Sequence, residues 1–342
     1  MAAYSPQADQ AGRAQDTGWT GFSVVVPCLN HAPFIVETLD SLLNQGYPNL
    51  EILVVDGGST DGTIEILRRY GDRVRWISEE DHGQSDALAK GFAMTNKEWL
   101  TWLNSDDKHE KKVLERVHNV ISSNPSADVM VGQGHYIDME GNYLKPYPTI
   151  RVGPDTDVEN ELFERGYVAQ PSVFFKRTAY ESVGGVDRTL QFAMDYDLWV
   201  RLARNGCNFV GVKKNLSGNR WYETTKTASQ ALPLLAEVVR VQTREYGRVS
   251  PYFTQAISDH LYHVLHSRHH GDQHHILYRT IYFKSVWLWL NAHRPLYCVW
   301  GFFTRSIAKS GPIVGDRLTI RDVAGCLLRA TQQRFKNIFS KG

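Results

Sequence analysis

Glu98-Trp99-Leu100-Thr101-Trp102-Leu103-Asn104-Ser105-Asp106-Asp107 is the stretch on which the fold of this chain turns. An apolar, aromatic run with the character of a buried strand stops abruptly at a polar, doubly acidic turn. Carboxylates removed from water are costly unless a cation or a hydrogen-bond donor meets them, so a strand end that keeps two of them has a use for them. Oxygen ligands on a short turn suit Mg²⁺ or Mn²⁺ bridging to phosphate oxygens. The plainer reading is that Asp106 and Asp107 cap a helix starting near Lys111. This stretch alone does not separate the two.

Working outward, Phe22-Ser23-Val24-Val25-Val26 is a β-branched run closed by Pro27, the pattern of a strand covered on both faces. A helix is expected from about Pro33 to Gln45, with Gly46 as its stop. Leu50 to Val55 is a second buried strand ending at Asp56. Thr63 to Tyr70 reads as helix and Val74 to Ile77 as a third strand. Asp86 can cap a helix running to about Met94, after which the strand at Trp99 follows. Strands alternating with helices at short spacing predict a doubly wound, mainly parallel α/β sheet. Beyond Val120 the pattern loosens. Val129 to Ile137 and Ser172 to Phe175 are strand-like, and Tyr196 to Arg204 is amphipathic helix. From about Ala228 the chain reads as helical and aromatic, a C-terminal helical extension. The expected organisation is a disordered leader over 1–20, a catalytic domain over 21–227 and a basic, aromatic region over 228–342.

The 342 residues carry 38 Lys and Arg against 37 Asp and Glu, so the whole molecule is no polyelectrolyte. The C-terminal region is the exception: from Ile276 onward eleven Lys and Arg face two Asp and no Glu. Such a tail suits a polyanionic partner, but no nucleic-acid motif accompanies it. The stretches Lys284 to Leu290 and Pro295 to Phe303 mix tryptophan, tyrosine and basic residues without a run long enough to span a bilayer. They suit either an interfacial helix on an anionic membrane or a helical cap with a solvated basic face. Seven of the thirteen histidines lie between His260 and His275, which reads as a histidine-rich helix end rather than a metal site. The four cysteines match no metal or redox pattern, as expected for a reduced, cytoplasmic setting.

In an open parallel sheet, ligands bind beyond the carboxyl ends of the strands, and three polar clusters fall there. Pro27 to Asn30 follows the first strand, Asp56-Gly57-Gly58-Ser59-Thr60-Asp61-Gly62 the second, and Asn104 to Asp107 the fourth. The glycines after Asp56 allow close backbone approach. No Gly-Lys-Ser/Thr follows, and no GxGxxG opens the first helix, so phosphate loops of those two types are excluded.

In order and spacing, Val26-Pro27-Cys28-Leu29-Asn30, Val54 to Gly62, Gly83-Gln84-Ser85-Asp86-Ala87 and Leu103 to Asp107 closely resemble the family 2 glycosyltransferases of GT-A fold. The resemblance runs from about Phe22 to Glu223. It implies an inverting transferase that moves a sugar from a nucleotide diphosphate donor, most often a UDP-sugar. The acceptor would be a hydroxyl of a glycan or lipid-linked saccharide, in polysaccharide assembly at the inner face of the cell membrane. It implies that Asp56 hydrogen-bonds the base, that Pro27, Leu29 and Asn30 line the base and ribose pocket with Gly58 and Ser59 in the adjoining loop, and that Gln84 and Asp86 approach the nucleotide or donor sugar. Asn104-Ser105-Asp106 occupies the family's DxD position, with Asp106 as ligand to Mg²⁺ or Mn²⁺ and Asn104 replacing the usual first aspartate. The segment Phe192 to Trp199 resembles the family's base-bearing helix start, with Asp195 as the base and Asp197 structural. Arg220, Glu223 and Lys226 fall where the family carries a loop that contacts the donor. Two other classes remain open on the residues alone: a non-catalytic sugar-nucleotide or glycan-binding module, favoured by Asn104, and a sugar nucleotidyltransferase, disfavoured by Pro27-Cys28-Leu29-Asn30 after the first strand.

Overall fold

The computed structural model describes residues 18–166, 168–222, 231–266 and 286–287. Leader residues 1–17, Glu223 and Lys226, and the tail beyond 266 other than 286–287 lie outside the described residues, as do the side chains of 261–266. Chain contacts divide the molecule into a unit of residues 1–237 and a second of residues 238–342.

The first unit opens with β1 (Phe22–Cys28), buried along its whole length as its β-branched composition requires. There follow α1 (Ile35–Leu43), β2 (Leu50–Asp56), α2 (Thr63–Tyr70), β3 (Arg75–Ser78), α3 (Gln84–Ala93) and β4 (Trp99–Trp102). The expected α/β alternation holds through this half, and β1, β2, β3 and β4 pair in parallel. Next come β5 (Lys108–His109), α4 (Val113–Ser123), β6 (Val129–Ile137), β7 (Tyr143–Pro146), α5 (Val158–Glu164), β8 (Val173–Lys176), α6 (Arg177–Ser182), α7 (Met194–Arg204) and β9 (Phe209–Arg220). These strands extend one continuous sheet in the order β3-β2-β1-β4-β8-β6-β9-β5, with β7 on β6. This second half is mixed: β8 is antiparallel to both β4 and β6, while β9 runs parallel to β6.

α4 begins at Val113 behind Lys112, with β5 between it and the acidic turn. Asp106 and Asp107 therefore cap no helix there. Residues 18–20, expected in the leader, pack on the domain: Trp19 lies edge-on to Tyr47 at 5.3 Å, and the Tyr47 hydroxyl donates to the Thr20 carbonyl.

Two features set α7 against the sheet. Trp199 stacks on Trp102 of β4 at 5.4 Å and 17°. Asp197, fully buried, pairs with Arg201 one turn on at 2.5 Å, and Arg201 also donates to the carbonyls of Val183 and Gly185. A buried carboxylate is tolerable when paired in this way, and Asp197 is structural. The segment leading into α7 is fastened to the loop before α3. Ser85 donates to the Leu190 carbonyl, Gln191 Nε2 donates to the His82 carbonyl at 2.9 Å, and Arg188 pairs with Asp86. Gly83 is the N-cap residue of α3, and Asp86 sits in its first turn, where it accepts the His82 N–H at 3.2 Å. Asp86 is thus a clamp rather than the N-cap that the sequence suggested.

In the second unit, the described residues form the rest of α8 (Ala231–Tyr246) and α9 (Pro251–His266). Gln242 Oε1 accepts the Ser250 N–H at 2.8 Å and fixes the turn between them. Among the described residues no helix is long and apolar enough to cross a membrane.

Two outcomes follow from these contacts. A Cβ on Gly91 of α3 would lie 2.5 Å from Val25 Cγ1 and 3.1 Å from Val55 Cγ2. Gly91→Ala gains about 1 kcal/mol of helix propensity but overpacks the α3–sheet contact at about 1–3 kcal/mol. Urea unfolding should show a net loss of about 1 kcal/mol, and a gain would mean the contact is looser than it looks. Burial alone would raise the pKa of Asp86, but the His82 N–H, Arg188 and Lys90 outweigh it and hold the carboxyl below the ordinary value of 3.8. Its stabilisation is therefore present above the unfolded-state pKa and is lost as pH falls through the lower folded value. Because Arg188 is largely exposed, Asp86→Asn should cost only about 1–2 kcal/mol at neutral pH. The gap in Tm between variant and parent should narrow as pH falls below the ordinary value of 3.8; a gap independent of pH contradicts the assignment.

Candidate active site

The carboxyl ends of β1 and β2 are level, Cys28 opposite Asp56, and the loops after them are knitted together. Asn30, at φ 53°, donates its N–H to Ser59 Oγ at 2.7 Å and accepts the Thr60 N–H on Oδ1 at 2.9 Å. Ala32 N–H donates to Asp61, and His31 N–H to Thr63 Oγ1. Asp56 is fully buried. Its Oδ2 accepts the N–H groups of Gly58 and Ser59 at 3.0 and 2.9 Å and the Ser78 hydroxyl at 2.7 Å, and its Oδ1 accepts the Ser59 hydroxyl. Four donors satisfy a buried carboxylate. Gly58 takes a φ of 88°, and a Cβ on Gly57 would lie 2.8 Å from the Asp81 carboxylate. These glycines serve a tight turn and a close approach to Asp81.

The turn after β4 is organised by Asp107. Its carboxylate is buried and accepts the Arg220 backbone N–H at 2.8 Å and an Asn104 amide hydrogen at 3.1 Å. Burial, and then the charge of Asp106 beside it, push its pKa well above the ordinary carboxylate range. Asn104 Oδ1 accepts from Gln84 Nε2 at 2.7 Å, so this amide bridges α3 to the acidic turn. Asp106 Oδ2 accepts the Tyr222 hydroxyl at 3.0 Å. Burial first, and Asp106 next, raise the pKa of Tyr222 and keep it a donor at neutral pH.

The guanidinium of Arg220 is almost fully buried. It donates to the carbonyls of Asp106, Asp138 and Met139, each at 2.7 Å, pairs with Glu37, and lies over the Phe34 ring. The sequence placed Arg220 in a donor-contacting loop. Instead it locks the end of β9 to the acidic turn, and its charge is already met.

These elements surround one cleft of about 570 Å³. Pro27, Leu29, Gln84, Asn104, Asp106, Asp195 and Arg220 line it, so the structure brings these sequence candidates together. Asn30, Asp56, Gly58, Ser59 and Asp86 do not line it and hold the loops that do. Asp195, in the first turn of α7, faces the cleft with Met194 and Phe192, and its Oδ1 accepts the N–H of Tyr196. The same cleft is lined by an aromatic cluster that sequence reasoning missed. Tyr136 of β6 and Tyr147 have ring centroids 4.8 Å apart, and Trp221, 41% exposed, meets Tyr136 edge-on. Tyr136 lies in a run read only as a strand, and Tyr147 in a loop, so no local pattern marks them. His31, Ser105 and Gln170 also line the cleft. Gln170 Nε2 donates to the Trp102 carbonyl, while its Oε1 is buried without a partner.

Among the described residues no group of three or more His, Cys, Asp or Glu is placed to hold a metal alone. Asp107 faces inward, and the Asn104 amide oxygen is engaged by Gln84. Of the two carboxylates on the acidic turn Asp106 is the less buried, and it lines the cleft together with Asp81 and Asp195. That set fits a cation of the Mg²⁺ or Mn²⁺ type, which is commonly held by one or two carboxylates with substrate phosphates completing its shell.

The comparisons with known proteins agree with this architecture. A sequence model described as glycosyl transferase family 2 matches residues 23–184. An uncharacterised glycosyltransferase of Rickettsia typhi is 30% identical over 193 residues, covering 53% of this chain and 58% of its own length. A PGL/p-HBAD biosynthesis glycosyltransferase of Mycobacterium bovis is 28% identical over 189 residues, 54% of this chain and 70% of that one. The chain thus spans little more than half the length of the Rickettsia relative. Among solved structures, residues 1–349 of S. aureus TarS in complex with UDP-GlcNAc superpose with a TM-score of 0.51 at 16% identity, covering 78% of this chain and 82% of that one. The mannosyltransferase PcManGT of Pyrobaculum calidifontis, in complex with GDP-Man and Mn²⁺, gives 0.50 at 18% identity, covering 95% and 89%. Those likenesses show the fold, a curled mixed sheet of GT-A type flanked by helices. On that fold, residues 23–184 are what matches the glycosyl transferase family 2 model, and the chain carries a domain similar to that family there.

Proposed function

We propose that the cleft transfers a sugar from a nucleotide diphosphate donor to a saccharide hydroxyl, with inversion at the anomeric carbon. The observation that carries this reading is the placement of two carboxylates from distant parts of the chain, Asp106 and Asp195, on the walls of one cleft. Pro27, Leu29 and Gln84 would border the nucleotide and Asn104 the ribose or sugar. Asp106 would hold a divalent cation against the diphosphate. When bound, such an ion offsets the negative charge that builds on the leaving group.

The acceptor oxygen forms its bond to the anomeric carbon as the bond from that carbon to the diphosphate breaks. Asp195 takes the acceptor's proton, and the nucleoside diphosphate leaves with the electron pair. The hydroxyl becomes acidic only as attack proceeds, so a carboxylate within hydrogen-bond reach is an adequate base. Holding the two substrates in line contributes a further large share of the rate. The exposed Trp221 and the Tyr136–Tyr147 pair present apolar ring surface beside polar groups, the composition of a wall that receives a sugar ring. They support a saccharide acceptor. UDP-GlcNAc and GDP-Man in the two solved relatives support a nucleotide-sugar donor and leave the base open. A peripheral position at a membrane would rest on the basic, aromatic tail beyond Ile276.

Thermal stabilisation by UDP, GDP, dTDP and CMP, each with and without Mn²⁺, tests the donor site. One diphosphate should stabilise selectively, and the Mn²⁺-dependent part should vanish in Asp106→Ala. No stabilisation by any nucleotide would favour the binding-module alternative and glycan ligands. Asp195→Asn should keep nucleotide affinity and lose roughly 10²–10⁴-fold in transfer; full activity would remove Asp195 as the base. Trp221→Ala should raise the acceptor KM several-fold with nucleotide affinity unchanged, and an unchanged acceptor KM would contradict the aromatic wall as its site.

A further inference from the structure

α7 carries Asp195 in its first turn, yet it begins at Ala193, which has no side chain to satisfy the exposed N–H groups of a helix start. A carboxylate from elsewhere in the chain instead holds the backbone just before the helix, the N-cap residue included. Glu237 of α8 accepts three successive backbone N–H groups, from Gln191 at 2.8 Å on Oε1 and from Phe192 and Ala193 at 2.8 and 2.9 Å on Oε2. Hydrogen bonds to a charged acceptor are short and strong, and a negative charge at a helix N-terminus is itself favourable. The three residues gripped are the last before the helix. Phe192 and Met194 line the cleft with Asp195, and so does Leu234, one turn before Glu237 on its own helix.

The same short segment is held from its other side by the donor-side loop, through Ser85 to the Leu190 carbonyl and Gln191 to the His82 carbonyl. Residues 190–193 therefore sit between two anchors. One belongs to the wall that carries Gln84, and the other is Glu237. An ordinary N-cap from within the segment would stabilise the helix equally well. It would not tie the position of Asp195 to a third part of the cleft wall.

We infer that Glu237 is a positioning residue for the transfer reaction, gripping the backbone at residues 191–193 so that the Asp195 carboxylate stands at the acceptor hydroxyl. This rests on Asp195 being the base. Glu237 acts through that residue and need touch neither substrate. A displacement of about 1 Å at a reacting group can cost about 10²-fold in rate, so loosening the grip should show in turnover before it shows in binding.

The test uses the full chain with Glu237→Gln, which keeps one acceptor oxygen and the side-chain shape, and Glu237→Asp, which keeps the charge and withdraws it by one methylene. Turnover is read as release of nucleoside diphosphate from whichever of UDP-GlcNAc and GDP-mannose the parent chain consumes. Competent sites are counted by calorimetric titration with the matching diphosphate. Both variants should lose about 10–100-fold in kcat per competent site, with donor KM, diphosphate Kd and binding stoichiometry unchanged. In an Asp195→Asn background, adding Glu237→Gln should remove nothing further, because the group it positions is gone. Amide exchange should quicken in peptides covering 191–197, with peptides covering 22–28 and 50–56 unchanged.

The inference is overturned by unchanged kcat in both variants, by a fall in kcat matched by a fall in competent sites, by an equal fold-loss in the Asp195→Asn background, or by exchange that quickens uniformly. Unchanged turnover in Asp195→Asn alone would instead overturn the base assignment, and Glu237's role with it. An inactive Asp195→Asn beside a fully active Glu237→Gln would overturn only the role of Glu237.

Discussion

The burial of the Asp107 carboxylate is the constraint on which the site depends. A carboxylate withdrawn from water must find donors or give up its charge, and Asp107 finds the backbone N–H at the end of β9 and the amide of Asn104. Those two bonds fix the turn after β4. Asp106, beside Asp107, is less buried and lines the cleft. Arg220, whose backbone serves Asp107, spends its guanidinium on the Asp106 carbonyl, on Glu37 and on two carbonyls after β6. Four separate parts of the chain thus meet at one acidic turn.

A second relation fixes the other wall. Trp102 closes β4 just before the acidic turn, and it stacks on Trp199, four residues beyond Asp195. Aromatic stacking of this kind is worth about 0.5–1.5 kcal/mol beyond the area it buries. Here it also sets the register between the strand that carries Asp106 and the helix that carries Asp195. A mixed sheet makes this possible: β8 runs antiparallel to β4 and returns the chain along the sheet, so that α7 can begin at the cleft.

The half of the fold governed by short-range pattern was legible in the sequence. β1, β2 and β4 are apolar runs that end in polar turns, and α2 has the predicted bounds of Thr63 to Tyr70. β9 was not legible. Lys213, Lys214 and Asn215 are exposed where the strand shifts register against β6, and such irregularity erases the alternation that marks a strand. β7 is exposed throughout and β5 is only two residues long. β6 and β8 read as strands, but nothing in their local pattern shows that β8 runs antiparallel to both β4 and β6. The site divides in the same way. Among the motif positions, Pro27, Leu29 and Gln84 line the cleft. Asp56, Asp86 and Arg220 read as ligand contacts because a charged residue at a strand or loop end has that appearance; each also meets a partner 22 to 183 residues away in sequence, which no local pattern shows. The aromatic wall draws on Tyr136, Tyr147 and Trp221, and no local window contains all three.

The central question is whether one cleft holds a nucleotide diphosphate between Asp106 and Asp195. A crystal structure of the chain with Mn²⁺ and the diphosphate that binds most tightly measures this directly. The diphosphate should lie against Asp106 with a metal between them, its base bordered by Pro27 and Leu29. The space beside Asp195 should be open toward Trp221. A nucleotide bound outside this cleft, or one whose phosphates point away from Asp106, would contradict that placement.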